Sequence, residues 1–179
     1  ELSFPAMAAA GAAVHMGLGV RSVAIAELAV ERTMAMGAEA SETRVTLALA
    51  LCQAGRADEA LILLDQVDRT HPYAAAIQAL ASAMLGDASS ALGSAAVVGD
   101  AAAATYLDRV IAAVAAAAAD VSLGNTDDAT ERLDAAGVTA AEAGDVVTRA
   151  LVRAAQQVLL DGLATFDIDH LGSGWRRVV

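Results

Sequence analysis

Aromatic side chains make up only 3% of this 179-residue chain, which also has two prolines and one cysteine. A lone thiol, Cys52, excludes an intrachain disulfide and any cysteine-rich metal site, and it leaves the redox compartment open. With 57% hydrophobic residues and almost no rings, a core has to be built from Ala, Leu and Val. Alanine is the strongest helix former, and alanine-rich helices approach towards the low end of the roughly 8–10 Å interaxial range. Pro5 and Pro72 both fall near element boundaries, as they would in an all-helical chain. Basic residues are scarce too: 11 Lys and Arg stand against 22 Asp and Glu, for a formal charge of −11. That balance argues against nucleic acid and disfavours an anionic membrane surface as partners, because both need clustered cations. The acidity reads as a solubility device.

Only Leu2–Val20 has the length of a targeting or membrane segment. It lacks a basic leading region, contains Pro5 and His15, and is dominated by Ala and Gly, which partition weakly into lipid. It is expected to be a buried helix, with no membrane insertion, and a cytoplasmic location is the expectation. The chain begins with Glu1, so an excised piece of a longer, even membrane-anchored, protein is also expected as an origin.

What is present is clearest over Ser41–Ala74. Ser41 is placed to cap a helix, and Glu42 lies at its positive end. Val45, Leu47, Ala48, Leu49, Leu51 and Cys52 are apolar nearly all round, the pattern of a helix covered on more than one side. Gly55 ends that helix. A second, amphipathic helix follows, with Asp58 and Glu59 in its first turn, apolar residues at Ala60, Leu61, Leu64 and Val67, and Arg69 near its negative end. His71 before Pro72 is pushed out of helical geometry and closes the unit. Two helices joined so tightly form an antiparallel pair with a bare apolar face.

This pair resembles a tetratricopeptide repeat, whose pattern is W-x2-L-G-x2-Y, then A-x3-F, then P, over 34 residues. The frame falls on Arg44, Leu47, Ala48 and Leu51, then Ala60 and Leu64, then Pro72, with Gly55 at the turn. Small, apolar and proline positions match, whereas Arg44, Leu51 and Leu64 stand where rings are usual. The resemblance implies an all-α, right-handed solenoid of antiparallel hairpins, diverged towards alanine.

Gly followed five residues later by Ala recurs at Gly19–Ala24, Gly55–Ala60, Gly86–Ala91 and Gly124–Ala129, at intervals of 36, 31 and 38 residues. These bracket the family period. The sequence thus predicts a repeat domain over 1–165, with repeats at about 6–36, 41–74, 73–98 and 100–136. In the first, helices over Ala6–Gly17 and Val20–Met36 are expected, with Glu31 where the family has a small apolar residue. Asp100 is the expected cap of the fourth, whose first helix runs to Leu123 through the Ala112–Ala119 tract. Thr139-x-x-Glu142 reads as a capping box opening a last helix over 139–163, broken near Gly144. Gly162 lies a further 38 residues beyond Gly124. Residues 166–179, with Phe166, Leu171 and Trp175, read as a tail or linker, and no second domain is marked.

Chemistry-bearing residues are scattered. His15, His71 and His170 have no partner at metal-ligand spacing, and Asp167, Asp169 and His170 read as solvated tail residues. Cys52 sits mid-helix as a small hydrophobe. Asp127–Asp128 reads as the acidic first turn of a helix. Neither a nucleophile elbow nor a phosphate-cradling loop is recognisable. No catalytic residue, metal or cofactor is expected, and the chain is not expected to be an enzyme.

What remains is recognition by shape. In the family, first helices line a concave groove that takes peptides or helices. Carried over, the resemblance places Val45, Leu49 and Cys52, then Ala76, Leu80 and Met84, then Val114 and Ala118, with Val152 and Gln156, on that groove. Chaperone-binding members hold a carboxylate there with Lys and Asn. Val45, Leu49, Ala76, Leu80, Val114 and Ala118 stand at those positions, so chaperone tails are not expected. The expectation is a scaffold or adaptor that binds an apolar or amphipathic protein segment. The groove is otherwise filled by the tail or by a second copy, as in a homodimer, or closed by tighter packing that turns these residues into core. The alternative is an oligomerisation or sensor segment of a larger regulator or enzyme.

Overall fold

The computed structural model describes residues 20–37, 39–68 and 70–161, and every regular element among them is helical. The helices are α1 (Val20–Ala35), α2 (Ser41–Gln53), α3 (Ala57–Leu64), α4 (Pro72–Met84), α5 (Ala88–Asp100), α6 (Tyr106–Ser122), α7 (Thr126–Glu142) and α8 (Val146–Gln156). A single π-helical turn, Gln157–Asp161, continues α8. None of the helices among the described residues is long and apolar enough to cross a membrane. The expected helix over Ala6–Gly17, Arg69, Gly162 and the tail lie outside the described residues.

The helices fall into two compact units, α1–α3 and α4 onward. In the first, α2 packs on both α1 and α3. That explains its all-round apolarity: Val45 and Leu47 to Cys52 are all buried. Only one face of α3 is covered, through Ala57, Ala60 and Leu64, while Ile62 is 66% exposed. In the second unit α4 packs on α5 and α6, α6 on α5 and α7, and α7 on α8, with a lighter contact between α6 and α8. Alanine carries this packing. Ala75, Ala76, Val98 and Ala112 join α4, α5 and α6 in one cluster. Val110, Ala136, Ala140 and Val152 join α6, α7 and α8 in another, and Ala117, Ala129 and Leu133 form a third.

The turns come where glycine foretold them. Gly55, Gly86 and Gly124 have φ of +77°, +78° and +82°, and each ends the first helix of a closely joined pair. Gly144, at +70°, separates α7 from α8 in the same way. Side chains with a Cβ rarely adopt this left-handed region, which is why glycine occupies it. His71 is extended and Pro72 opens α4, as the sequence implies.

Three boundaries differ from expectation. Ser41 lies within the first turn of α2, and Ala40 occupies the cap position without a side-chain bond; the Ser41 hydroxyl donates to the Glu39 carboxylate instead. Asp100 is the last residue of α5, not a cap. Helix α6 opens at Thr105 with a capping box: the Asp108 N–H donates to Thr105 Oγ1 at 3.3 Å, and the Thr105 N–H to Asp108 Oδ2 at 2.8 Å. Alanines 101–104 leave helical geometry despite their propensity, because Ala104 packs against the α4–α5–α6 cluster. Arg109 fixes this bend, donating to the carbonyls of Gly99 and Ala101 at the end of α5.

Thr139 does not open a helix either. It sits inside α7 and its hydroxyl donates back to the Ala135 carbonyl at 2.9 Å. Burial of Ala136 and Ala140 against Val152 carries α7 past the expected end at Ala136. The true start of the last helix is Asp145, whose carboxylate accepts from the Thr148 N–H at 3.0 Å.

A side chain built at Gly124 would meet nothing within 4 Å, so the cost of adding one there is conformational alone. Gly124→Ala is therefore expected to lower stability by about 1 kcal/mol, read as a fall in urea midpoint with unchanged slope. An unchanged midpoint would remove the left-handed turn as a constraint.

Candidate functional site

The ten groove residues divide by burial. Val45, Leu49 and Cys52 on α2, Ala76 on α4 and Val152 on α8 are buried, so they belong to the core. Leu80 on α4, Val114 and Ala118 on α6, and Gln156 on α8 are half-buried, and Met84 on α4 is 47% exposed. Val114 packs against two of the clusters that join α6 to α7 and α8. Gln156 is engaged as well, donating from Nε2 to Asp134 Oδ1 at 2.8 Å. Leu80, Met84 and Ala118 remain, on the neighbouring helices α4 and α6.

Burial also settles the state of Cys52. Its thiol pKa is pushed up to about 12, chiefly by desolvation, so it is a protonated core group and a poor nucleophile. Tyr73 is likewise raised to about 12, first by burial and then by the nearby Asp108 carboxylate. Four carboxylates of the second unit serve structure. Asp87 and Asp145 cap helices, and Asp108 completes the Thr105 capping box. Asp120 is buried on α6 and is held by Arg132 Nε of α7 at 2.7 Å. This pair ties α6 to α7, since a buried carboxylate without a partner is costly. Asp127 and Asp128 occupy the first turn of α7, where the helix dipole favours them. No three His, Cys, Asp or Glu side chains gather as a metal site among the described residues.

The sequence did not reveal a cleft of about 220 Å³ between the second helices of the unit. Ala112, Ala113 and Ala116 of α6 form its floor; Ala95 and Gly99 of α5 and Ala135 of α7 form its walls. Its origin is steric: most of the side chains that α5 and α7 turn towards it are small, Ala95 and Gly99 on one and Ala135, Ala136 and Thr139 on the other. The two guanidiniums at its rim, Arg109 and Arg132, are occupied by the contacts given above.

Comparison with protein-family models, with curated proteins and with solved structures finds no match for this chain.

Asp145 joins two elements. Besides capping α8 it accepts from the Tyr106 hydroxyl of α6 at 3.0 Å. Bonds from Thr148 and then Tyr106 hold its pKa below the usual carboxylate value. A depressed native pKa contributes stability that is complete above the ordinary carboxylate pKa and is lost as pH falls through the native value. Asp145→Ala should thus lower the melting temperature at pH 7, with a loss of about 1 kcal/mol typical of a cap. The gap to the parent should narrow towards pH 3 as the parent's own carboxylate protonates. A gap independent of pH would contradict this role.

Proposed function

We propose that this chain is a noncovalent protein-binding module, a scaffold or adaptor, whose two units are built of tetratricopeptide-like antiparallel helix pairs. One observation carries the reading: α4 packs on its pair-mate α5 and also on α6, the first helix of the next pair. Stacked helix pairs have this neighbour pattern, and in a right-handed solenoid it brings first helices side by side along one face. On that face Leu80, Met84 and Ala118 are the groove residues with exposed surface that the core does not consume. An apolar or amphipathic helix is the occupant that suits them, anchored at intervals of three and four residues. Asp87, Asp108 and Asp145 are committed to caps and Asp120 to its ion pair with Arg132, and shape and apolar contact do the recognising at Leu80, Met84 and Ala118.

Selection of helical peptides displayed on phage, with the full chain as bait, tests this proposal. Enriched sequences should share an apolar face, and Leu80→Glu with Ala118→Glu should weaken their binding at least tenfold, a change of about 1.4 kcal/mol. Peptides that bind parent and variant equally would overturn the groove.

A further inference from the structure

We propose that two copies of this chain exchange α6–α8: the bend between α5 and α6 straightens, and α6 of each copy packs on α4 and α5 of the other. The inference starts from the junction over residues 101–104 and does not depend on the groove reading. The other junctions from α4 to α8 are closed by glycines in the left-handed region, Gly86, Gly124 and Gly144, and a helix does not run on through such a residue. Between α5 and α6 stand four alanines, with neither glycine nor proline. Alanine is the residue that most favours continuing a helix. The chain turns there because Ala101, at φ −78° and ψ 113°, and Thr105, at φ −74° and ψ 167°, are extended.

The bend is held by contacts that straightening exchanges for others. Arg109 donates to the Gly99 and Ala101 carbonyls at 3.4 and 3.1 Å, and Asp108 Oδ2 accepts from the Thr105 N–H. In a continuous helix those carbonyls would accept from the N–H groups four positions on, at Ala103 and Thr105. Such a helix would run from Ala88 to Ser122, about 50 Å, and would carry α6 away from its own α4 and α5. Ala75, Ala76 and Val98 would then lose Ala112, their partner on α6. The uncovered surface selects its occupant, because α6 is the element shaped to it, and the α6 left free is that of a second copy straightened in the same way. Each copy restores the other's contacts residue for residue, and the symmetric exchange closes at two chains. The face of Leu80, Met84 and Ala118 re-forms with α4 from one copy and α6 from the other. Repulsion between two acidic chains and the cost of bringing them together oppose the exchange, and salt and concentration offset them.

Refolding the full chain from urea at high protein concentration, with reductant to keep Cys52 from forming a disulfide, followed by size-exclusion chromatography with light scattering, tests the proposal. The parent should yield a species of twice 17.9 kDa beside the single chain. Arg109→Ala, which releases the Gly99 and Ala101 carbonyls, should raise the ratio of two-chain to one-chain species about tenfold, the effect of about 1.4 kcal/mol. Ala102→Pro should abolish the larger species and leave a folded single chain. Residue 102 is the second position of a turn closed by the Ala104 N–H to the Ala101 carbonyl at 3.1 Å, and Ala101 before it is extended. Proline suits that position and an extended residue before it, and it blocks a helix. Ala102→Gly with Ala103→Gly disfavours the continuous helix without a ring and should lower the ratio as well. A parent that refolds only as a single chain overturns the proposal. So does a two-chain species whose yield Ala102→Pro leaves unchanged, because association with the bend intact is indifferent to proline there, and so does one that Arg109→Ala does not increase.

Discussion

Close approach of helices through alanine is the constraint on which the second unit depends. Ala76, Ala79, Ala81, Ala91, Ala117, Ala129 and Ala140 are all fully buried, whereas the large side chains buried to the same degree there are few, led by Ile77 and Leu133. Each alanine removes little apolar area from water, about 0.8 kcal/mol for a methyl-sized group. Stability is consequently spread over many backbone-level contacts and has few anchors. Buried polar groups of both units are satisfied close to home. In the first unit Thr33 donates to the Ala29 carbonyl of its own helix and Thr43 to the carbonyl of Ala40, the residue that caps its helix, so neither hydroxyl needs a partner across a tight interface. Asp120 does cross between helices, and the arm of Arg132 reaches in from the surface to meet it.

Tight packing also determines what is left outside. A helix that touches its neighbours through alanine has no need of its larger residues there, so Met84, Val97, Leu123, Val138 and Val147 stand exposed. Large apolar side chains of the second unit are thus divided between core, as with Ile77, Val98 and Leu133, and surface. Half of the groove residues that family resemblance implied, Val45, Leu49, Cys52, Ala76 and Val152, are core.

The sequence made the helices and their glycine turns legible because both signals are local. Gly55, Gly86 and Gly124 end helices through their own backbone freedom, and the patterns around them hold without tertiary help. Where burial competed with a local signal, burial won. Alanines 101–104 have the propensity to continue a helix, yet they bend to place Ala104 against α4 and α5. The Thr139-x-x-Glu142 pattern has the form of a capping box, yet it lies inside α7, because Ala136 and Ala140 are buried on both sides of Thr139. The cleft floored by Ala112 and Ala116 was illegible for a related reason: it arises from missing bulk on two helices distant in sequence. Asp145 lacked a distinctive pattern, since its partner Tyr106 is 39 residues away.

Ala117 gives the most direct access to the claim that alanine packing holds the unit together. It is 0% exposed and shares a buried cluster with Ala129 and Leu133 of α7. Urea unfolding of Ala117→Leu should show a loss of about 1–3 kcal/mol, the cost of forcing extra methylenes into a filled interface. A variant as stable as the parent, or more stable, would mean that the helices are not in close contact there and would contradict the account.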